Sequence, residues 1–256
     1  MAILTRVLHD AGGAVAARFG RAGRQWYARL RFGGDLPALA SYFGTDKWGS
    51  HWYAQHYQRH FDALRRKPIR MLEIGVGGYL NPRGGGESLR MWKAYFPNGQ
   101  IFGLDIGDKR IHDEPRIQTL LGSQDDEEFL KTISARHGPF DIIVDDGSHQ
   151  NPHVLKSFAV LFPLLAEDGI YAVEDTQTAY WPEFAGAPPG DHAAPTSMNM
   201  LKSLVDGLNH REFPRSGELS PSYLERHVVA VHFYHNLVFV QKGLNDELSN
   251  ILDAPR

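Results

Sequence analysis

Five short apolar runs, each ending in a glycine turn or an acidic residue, organise the middle of this sequence: MLEIGVGG, IFGLDI, RIQTLLG, FDIIVDDG and GIYAVEDT. Longer stretches with helical periodicity separate most of them: SLRMWKAYF, with Leu89, Met91, Trp92 and Phe96 on one face, then EEFLKTISARH and PHVLKSFAVLFPLL. Runs that are apolar throughout suit strands covered on both faces, and their alternation with helices demands a parallel sheet. Near the end, HVVAVHFYHNLVFVQKG reads as two strands joined by a turn at His235 and Asn236, adding an antiparallel strand to the same sheet. The predicted fold is therefore α/β: a seven-stranded, mostly parallel sheet with an antiparallel C-terminal strand and helices on both faces.

A chain of 256 residues is long enough for one large domain of this kind. The expected organisation is an arginine-rich helical arm over residues 1–40, a main domain over 41–256, and a loop-rich region over 182–222 with a helix near MNMLKSLVDGL. The arm sets Arg6, Arg18, Arg21, Arg24, Arg29 and Arg31 against Asp10. A solvated helix is the plain reading, with an oligomer contact, a lid or a membrane-surface helix as alternatives. A homo-oligomer is expected. The formal charge of −3 offers no general attraction to nucleic acid or anionic lipid. No apolar run reaches the roughly 20 residues that span a bilayer. Arg6, His9 and Asp10 interrupt the apolar start, unlike a signal peptide. The absence of cysteine rules out thiolate metal sites and thiol nucleophiles and suits a reducing cytoplasm, the expected location.

Ligands of such sheets bind beyond the carboxyl ends of the strands. The first end, LEIGVGGY, offers Glu73, Gly75, Gly77, Gly78 and Tyr79; glycines let the backbone approach a nucleoside closely. The dinucleotide fingerprint would need another glycine and an immediate helix for a pyrophosphate. Here position 80 is Leu, and the chain runs through NPRGGGE before the helix that carries Ser88. Glu73 would repel a pyrophosphate but tolerate an ammonium or a sulfonium. The preferred cofactor is thus S-adenosylmethionine, expected at Glu73, Gly75, Gly77, Tyr79, Ser88, Asp105, Ser123, Gln124 and Asp146. Asp105 can accept hydrogen bonds from ribose hydroxyls. Ser123 and Gln124 line an adenine edge, or else GSQDD merely caps a helix through Ser123 or Asp125.

The fourth and fifth ends carry DDGSH, with Asp145, Asp146 and His149, and then Glu174 and Asp175. On adjacent parallel strands Asp146, Glu174 and Asp175 would crowd one rim, and a hard divalent cation, Mg²⁺ or alternatively Mn²⁺, would relieve their repulsion. A hydroxyl held by such a cation loses its proton more readily, and His149 is placed to take it. Gln177, Tyr180 and Trp181 follow directly and are candidate acceptor contacts. Trp48, Trp52 and Tyr53, with Tyr180 and Trp181, suit either stacking on a sugar face or packing in a core.

From FGTDKWGSHWY through LEIGVGGY, GGGESLRMWKAYF, GLDI and DDGSH to VEDTQTAYWP, the chain is similar to the macrolide-sugar O-methyltransferases. The resemblance implies a class I methyltransferase fold, S-adenosylmethionine, Mg²⁺ at Asp146, Glu174 and Asp175, and His149 as base. Catechol-type O-methyltransferases resemble it more distantly, with a Lys at the place of His149 and an Asn at that of Asp175, which argues against a catechol. The chain is shorter than the macrolide enzymes, and its 182–222 region matches none of them. The acceptor is therefore expected to be a mannoside or other oligosaccharide, or a natural-product glycoside. A nicotinamide-dependent oxidoreductase and a non-catalytic S-adenosylmethionine-binding scaffold are the rival readings.

Overall fold

The computed structural model describes residues 20–79, 81, 83–213 and 220–249; Arg6, His9, Asp10 and Arg18 lie outside them. The strands are β1 (Arg70–Ile74), β2 (Gln100–Asp105), β3 (Ile117–Leu121), β4 (Ile142–Asp145), β5 (Ile170–Glu174), β6 (Val228–Tyr234) and β7 (Leu237–Lys242). They form one sheet in the order β3-β2-β1-β4-β5-β7-β6. β1 to β5 are mutually parallel where they pair, and β7 runs antiparallel to both β5 and β6. This is the class I methyltransferase arrangement expected from the run of strands and helices.

Successive side chains of a strand point to opposite faces, which divides the core in two. On one face Met71, Ile101, Ile142, Val144, Ala172 and Phe239 pack with Leu36, Tyr57, Phe61, Leu89 and Trp92. Those partners come from α2 (Leu36–Phe43), α3 (Ala54–Phe61) and α4 (Glu87–Tyr95). On the other face Leu72, Ile74, Phe102, Ile143, Tyr171, Val173 and Val238 meet Leu130, Ile133, Phe158, Phe162, Leu201 and Leu204. These belong to α5 (Glu127–His137), α6 (Asn151–Leu164) and α7 (Ser197–Leu208). The helix expected near MNMLKSLVDGL is α7, started by the Thr196 side chain accepting from Asn199 N–H. A short α8 (Tyr223–His227), begun by a reciprocal Ser222–Glu225 cap, leads into β6.

The expected arm contains two helices within the described residues. α1 (Gly20–Phe32) leaves Trp26 and Leu30 exposed, but Gln25 donates to the Arg90 carbonyl and Arg21 to that of Ile111. α2 crosses residue 40 and buries Leu36, Leu39 and Ala40 completely. Among the described residues, no helix is long and apolar enough to cross a membrane.

Candidate active site

Strand order reverses at β1, which pairs β2 on one side and β4 on the other. A crevice beyond the carboxyl ends at this reversal is where such sheets take ligands. Register aligns Ile74 with Asp145 and Asp145 with Val173, so Asp146 and Glu174 emerge side by side. The ends of β1 and β4 touch through backbone. A Cβ on Gly75, whose φ is 93°, would lie 1.9 Å from the Asp146 carbonyl oxygen. No residue but glycine fits there.

The paired aspartates have different fates. Asp145 is buried and accepts from Ser157, Tyr171 and Gln124. Burial pushes its pKa up against those hydrogen bonds. Asp146 turns to the rim. There Asp146, His149 and Asp175 each present a ligand atom, all within 4.8 Å of one another. His149 Nε2 stands 3.8 Å from Asp146 Oδ1 and 3.6 Å from Asp175 Oδ2. His149 and Asp175 both have left-handed backbone, with φ of 56° and 50°. Conformations of that kind cost free energy and gather where side-chain aim matters more than local comfort. The carboxylate oxygens of Asp146 and Asp175 at this spacing can converge on a single divalent cation, with the His149 imidazole nitrogen beside them, so the donor set fits one.

Glu174, expected among the ligands, stands outside that trio. Its Oε1 accepts from Tyr57 at 2.6 Å and from Lys47 Nζ at 2.7 Å. Lys47 also donates to Asp146 Oδ2 at 2.6 Å and lies 3.4 Å from Glu73. Sequence reasoning missed this lysine. It is 1% exposed, and its ammonium sits among three carboxylates. Burial alone would lower its pKa, but Asp146, Glu174 and Glu73 outweigh burial and hold it well above its usual value. On the acids, burial raises Glu73 and Asp146, and burial with the Asp146 charge raises Glu174 strongly; Lys47 opposes all three shifts. The signal available in the sequence was a lone cation inside the aromatic segment FGTDKWGSHWY. Tyr53 of that segment offers no face to a sugar: it is buried, its ring stacked on His51, and its hydroxyl donates to Asp175 Oδ1 at 2.6 Å.

The cofactor-side residues are arranged less directly than expected. Glu73 is fully buried and accepts from Ser88 and Trp92, so the acid and Ser88 satisfy each other beneath the glycine turn instead of lining it. The charge reasoning that set Glu73 against a pyrophosphate gives way to one in which Lys47 answers it. Gly77 has the left-handed φ of 78°, and Tyr79 beyond it is almost wholly exposed. Asp105 closes β2 and accepts from the N–H groups of Val76 and Gly107, which ties it to the same turn. Gln124 is buried and bridges Asp145 to the N–H of Ser148, bracing the DDGSH loop from behind. Ser123 bonds Asp125, while the helix cap that GSQDD left open falls to Asp126. Of the residues expected to contact an acceptor, Gln177 has its Oε1 buried without a hydrogen-bond partner among the described residues. Trp181 is 44% and Trp52 57% exposed, whereas the Tyr180 ring lies under Lys202.

No family model matches the chain. It is 53% identical over 214 residues to mycinamicin VI 2''-O-methyltransferase of Micromonospora griseorubida, covering 83% of this chain and 54% of that one. Demethylmacrocin O-methyltransferase of Streptomyces fradiae is 51% identical over 214 residues, with the same coverage of 83% and 54%. A tetracenomycin-C rhamnosyl 3'-O-methyltransferase of Streptomyces olivaceus is 46% identical over 224 residues, covering 87% and 57%. The chain thus spans a little over half the length of the curated relatives it matches. Among solved structures, the MycE methyltransferase of the mycinamycin pathway in complex with Mg and SAH superposes with a TM-score of 0.83 at 52% identity, over 87% of this chain and 57% of that one. The same enzyme with Mg, SAH and mycinamycin VI gives 0.82 over the same shares of the two chains, 87% and 57%.

Proposed function

The chain is a close relative of the macrolide- and tetracenomycin-sugar O-methyltransferases, and from that premise we infer that it methylates a sugar hydroxyl of a glycoside, using S-adenosylmethionine and Mg²⁺. The observation that carries this is the convergence of Asp146, His149 and Asp175 at the switch point of a class I sheet. Relatives acting on natural-product glycosides favour such an acceptor over a mannose polysaccharide. None of the relatives described above is a nicotinamide oxidoreductase, and nothing in the site supports hydride transfer.

Asp146 and Asp175, with Glu174 beside them, would hold the cation, which when bound makes a hydroxyl it touches more acidic. The protein's own share is orientation and proton transfer. His149 Nε2 faces the space between Asp146 and Asp175, where it accepts the proton of an acceptor hydroxyl. The freed oxygen then forms a bond to the donor methyl carbon as the carbon–sulfur bond breaks. Gly75 and Gly77 let the backbone turn tightly after β1, and the nucleoside would lie along that turn, with Asp105 accepting from its ribose hydroxyls. Gln177 and Trp181 stand on the acceptor side, the first with an unsatisfied acceptor atom.

Calorimetric titration with S-adenosylmethionine is expected to give one saturable site. Mass spectrometry of macrolide glycosides incubated with it and Mg²⁺ should show gain of one methyl, abolished by EDTA while cofactor binding survives. Turnover that persists in EDTA, or enhanced NADH fluorescence in place of S-adenosylmethionine binding, would overturn the reading.

A further inference from the structure

We propose that Lys47, Tyr53 and Tyr57 are positioning residues that between them tie down one oxygen of each rim carboxylate, so that Asp146, Glu174 and Asp175 meet a cation through single oxygens and prefer Mg²⁺ to Ca²⁺. The inference rests on the metal reading above and extends it to a segment that reading does not use.

The pattern lies in which oxygens are engaged. Lys47 takes Asp146 Oδ2 and Glu174 Oε1; Tyr57 takes the same Glu174 Oε1; Tyr53 takes Asp175 Oδ1. The oxygens that face His149 are the opposite ones, Asp146 Oδ1 and Asp175 Oδ2. All three donors come from one stretch of chain, the loop at Lys47 and the start of α3. Packing holds that stretch down, because Tyr53, Tyr57 and Phe61 are buried in the first core. The donor types are apt: one ammonium supplies charge to a buried acidic group, and two phenols supply direction without adding more.

The consequence follows from coordination chemistry. Ca²⁺ takes about 6–8 oxygens at roughly 2.3–2.6 Å and welcomes carboxylates that chelate with both oxygens. Mg²⁺ requires near-octahedral geometry at about 2.0–2.1 Å and keeps open positions for water or substrate. Carboxylates restricted to one oxygen each therefore suit the smaller ion and leave room for an acceptor hydroxyl. Groups that orient ligands from behind in this way commonly set metal affinity.

The test measures metal binding rather than turnover. Mn²⁺ binding to the full chain is followed by electron paramagnetic resonance, with Mg²⁺ and Ca²⁺ as competitors, for wild type, Asp146→Asn, Tyr53→Phe, Tyr57→Phe and Lys47→Met. Tyr53→Phe is expected to weaken Mg²⁺ by about 10–100-fold and Ca²⁺ much less, with S-adenosylmethionine affinity kept. It removes one hydroxyl from a packed ring, so it decides the matter even if Lys47→Met fails to fold. Equal Mg²⁺ affinity in Tyr53→Phe and wild type, or equal losses for both ions, overturns the positioning role while leaving the metal reading intact. Wild-type Mn²⁺ binding that Asp146→Asn does not alter overturns both.

Discussion

Two regions of this molecule crowd like titratable groups together and resolve the crowding in opposite ways. At the rim of β1, β4 and β5, Glu73, Asp146 and Glu174 surround Lys47. Near the sheet's outer edge, His56 and His60 of α3 pack against His232 and Tyr234 of β6. His56 and His60 discard their charge. Burial first, then His232, Arg59 and His56, bring the His60 pKa down to about 4, and burial with Arg59 lowers His56. As neutral rings they stack, His60 on Phe239 at 4.2 Å and His56 on Tyr234 at 3.8 Å. The acids are instead given a buried counter-ion, although breaking such an arrangement costs about 3–5 kcal/mol and an apolar substitute would often be as stable. His56 and His60 serve the fold as neutral rings, whereas carboxylates gathered round a buried cation at the ligand edge of the sheet point to a ligand.

His149→Gln tests the charged side of that contrast hardest. It is expected to lower kcat by about 10²–10⁴-fold while Mn²⁺ binding through the carboxylates persists. Near-normal turnover across neutral pH would show that the imidazole is not the base. Next in size is Gly75→Ala, because the rim depends on the contact between the ends of β1 and β4. Driving a Cβ to 1.9 Å from the Asp146 carbonyl should cost roughly 2–4 kcal/mol of stability, read by urea denaturation. An unchanged midpoint would mean that the two strand ends are not held as described.

The two regions should also have opposite pH slopes in thermal melts. His60, with its folded pKa below the unfolded value, binds fewer protons when folded. Its contribution is full above the unfolded pKa of about 6.5 and is lost as pH falls towards about 4. His60→Phe should make the acid limb shallower. The rim acids are raised by burial, so without metal their contribution is greatest below the ordinary carboxylate range and declines as pH climbs through the folded values. Added Mg²⁺ replaces those protons, and its stabilising effect should grow with pH. A Mg²⁺ increment in melting temperature that is flat with pH would remove the rim from this account.

Much of the architecture was legible in the chain itself. Strand runs and helix periodicity are local signals, and residues closing a parallel strand are bound to reach one edge of the sheet. That sufficed for the strand order's ligand edge and for bringing Asp146, His149 and Asp175 together. It did not separate Asp145 from Asp146, because which neighbour faces inward depends on Ser157, Tyr171 and Gln124 across the core. Nor did it show Glu73 turned to Ser88 and Trp92, or α2 sealed into the first core.

The sequence by itself determined a seven-stranded sheet and the acids along its rim, since both follow from patterns only a few residues long. Tertiary structure alone decided what neutralises those acids. Lys47 lies far from Asp146 and Glu174 along the chain, in a loop with no periodicity of its own. Only the packing of α3 against the sheet carries its ammonium to them.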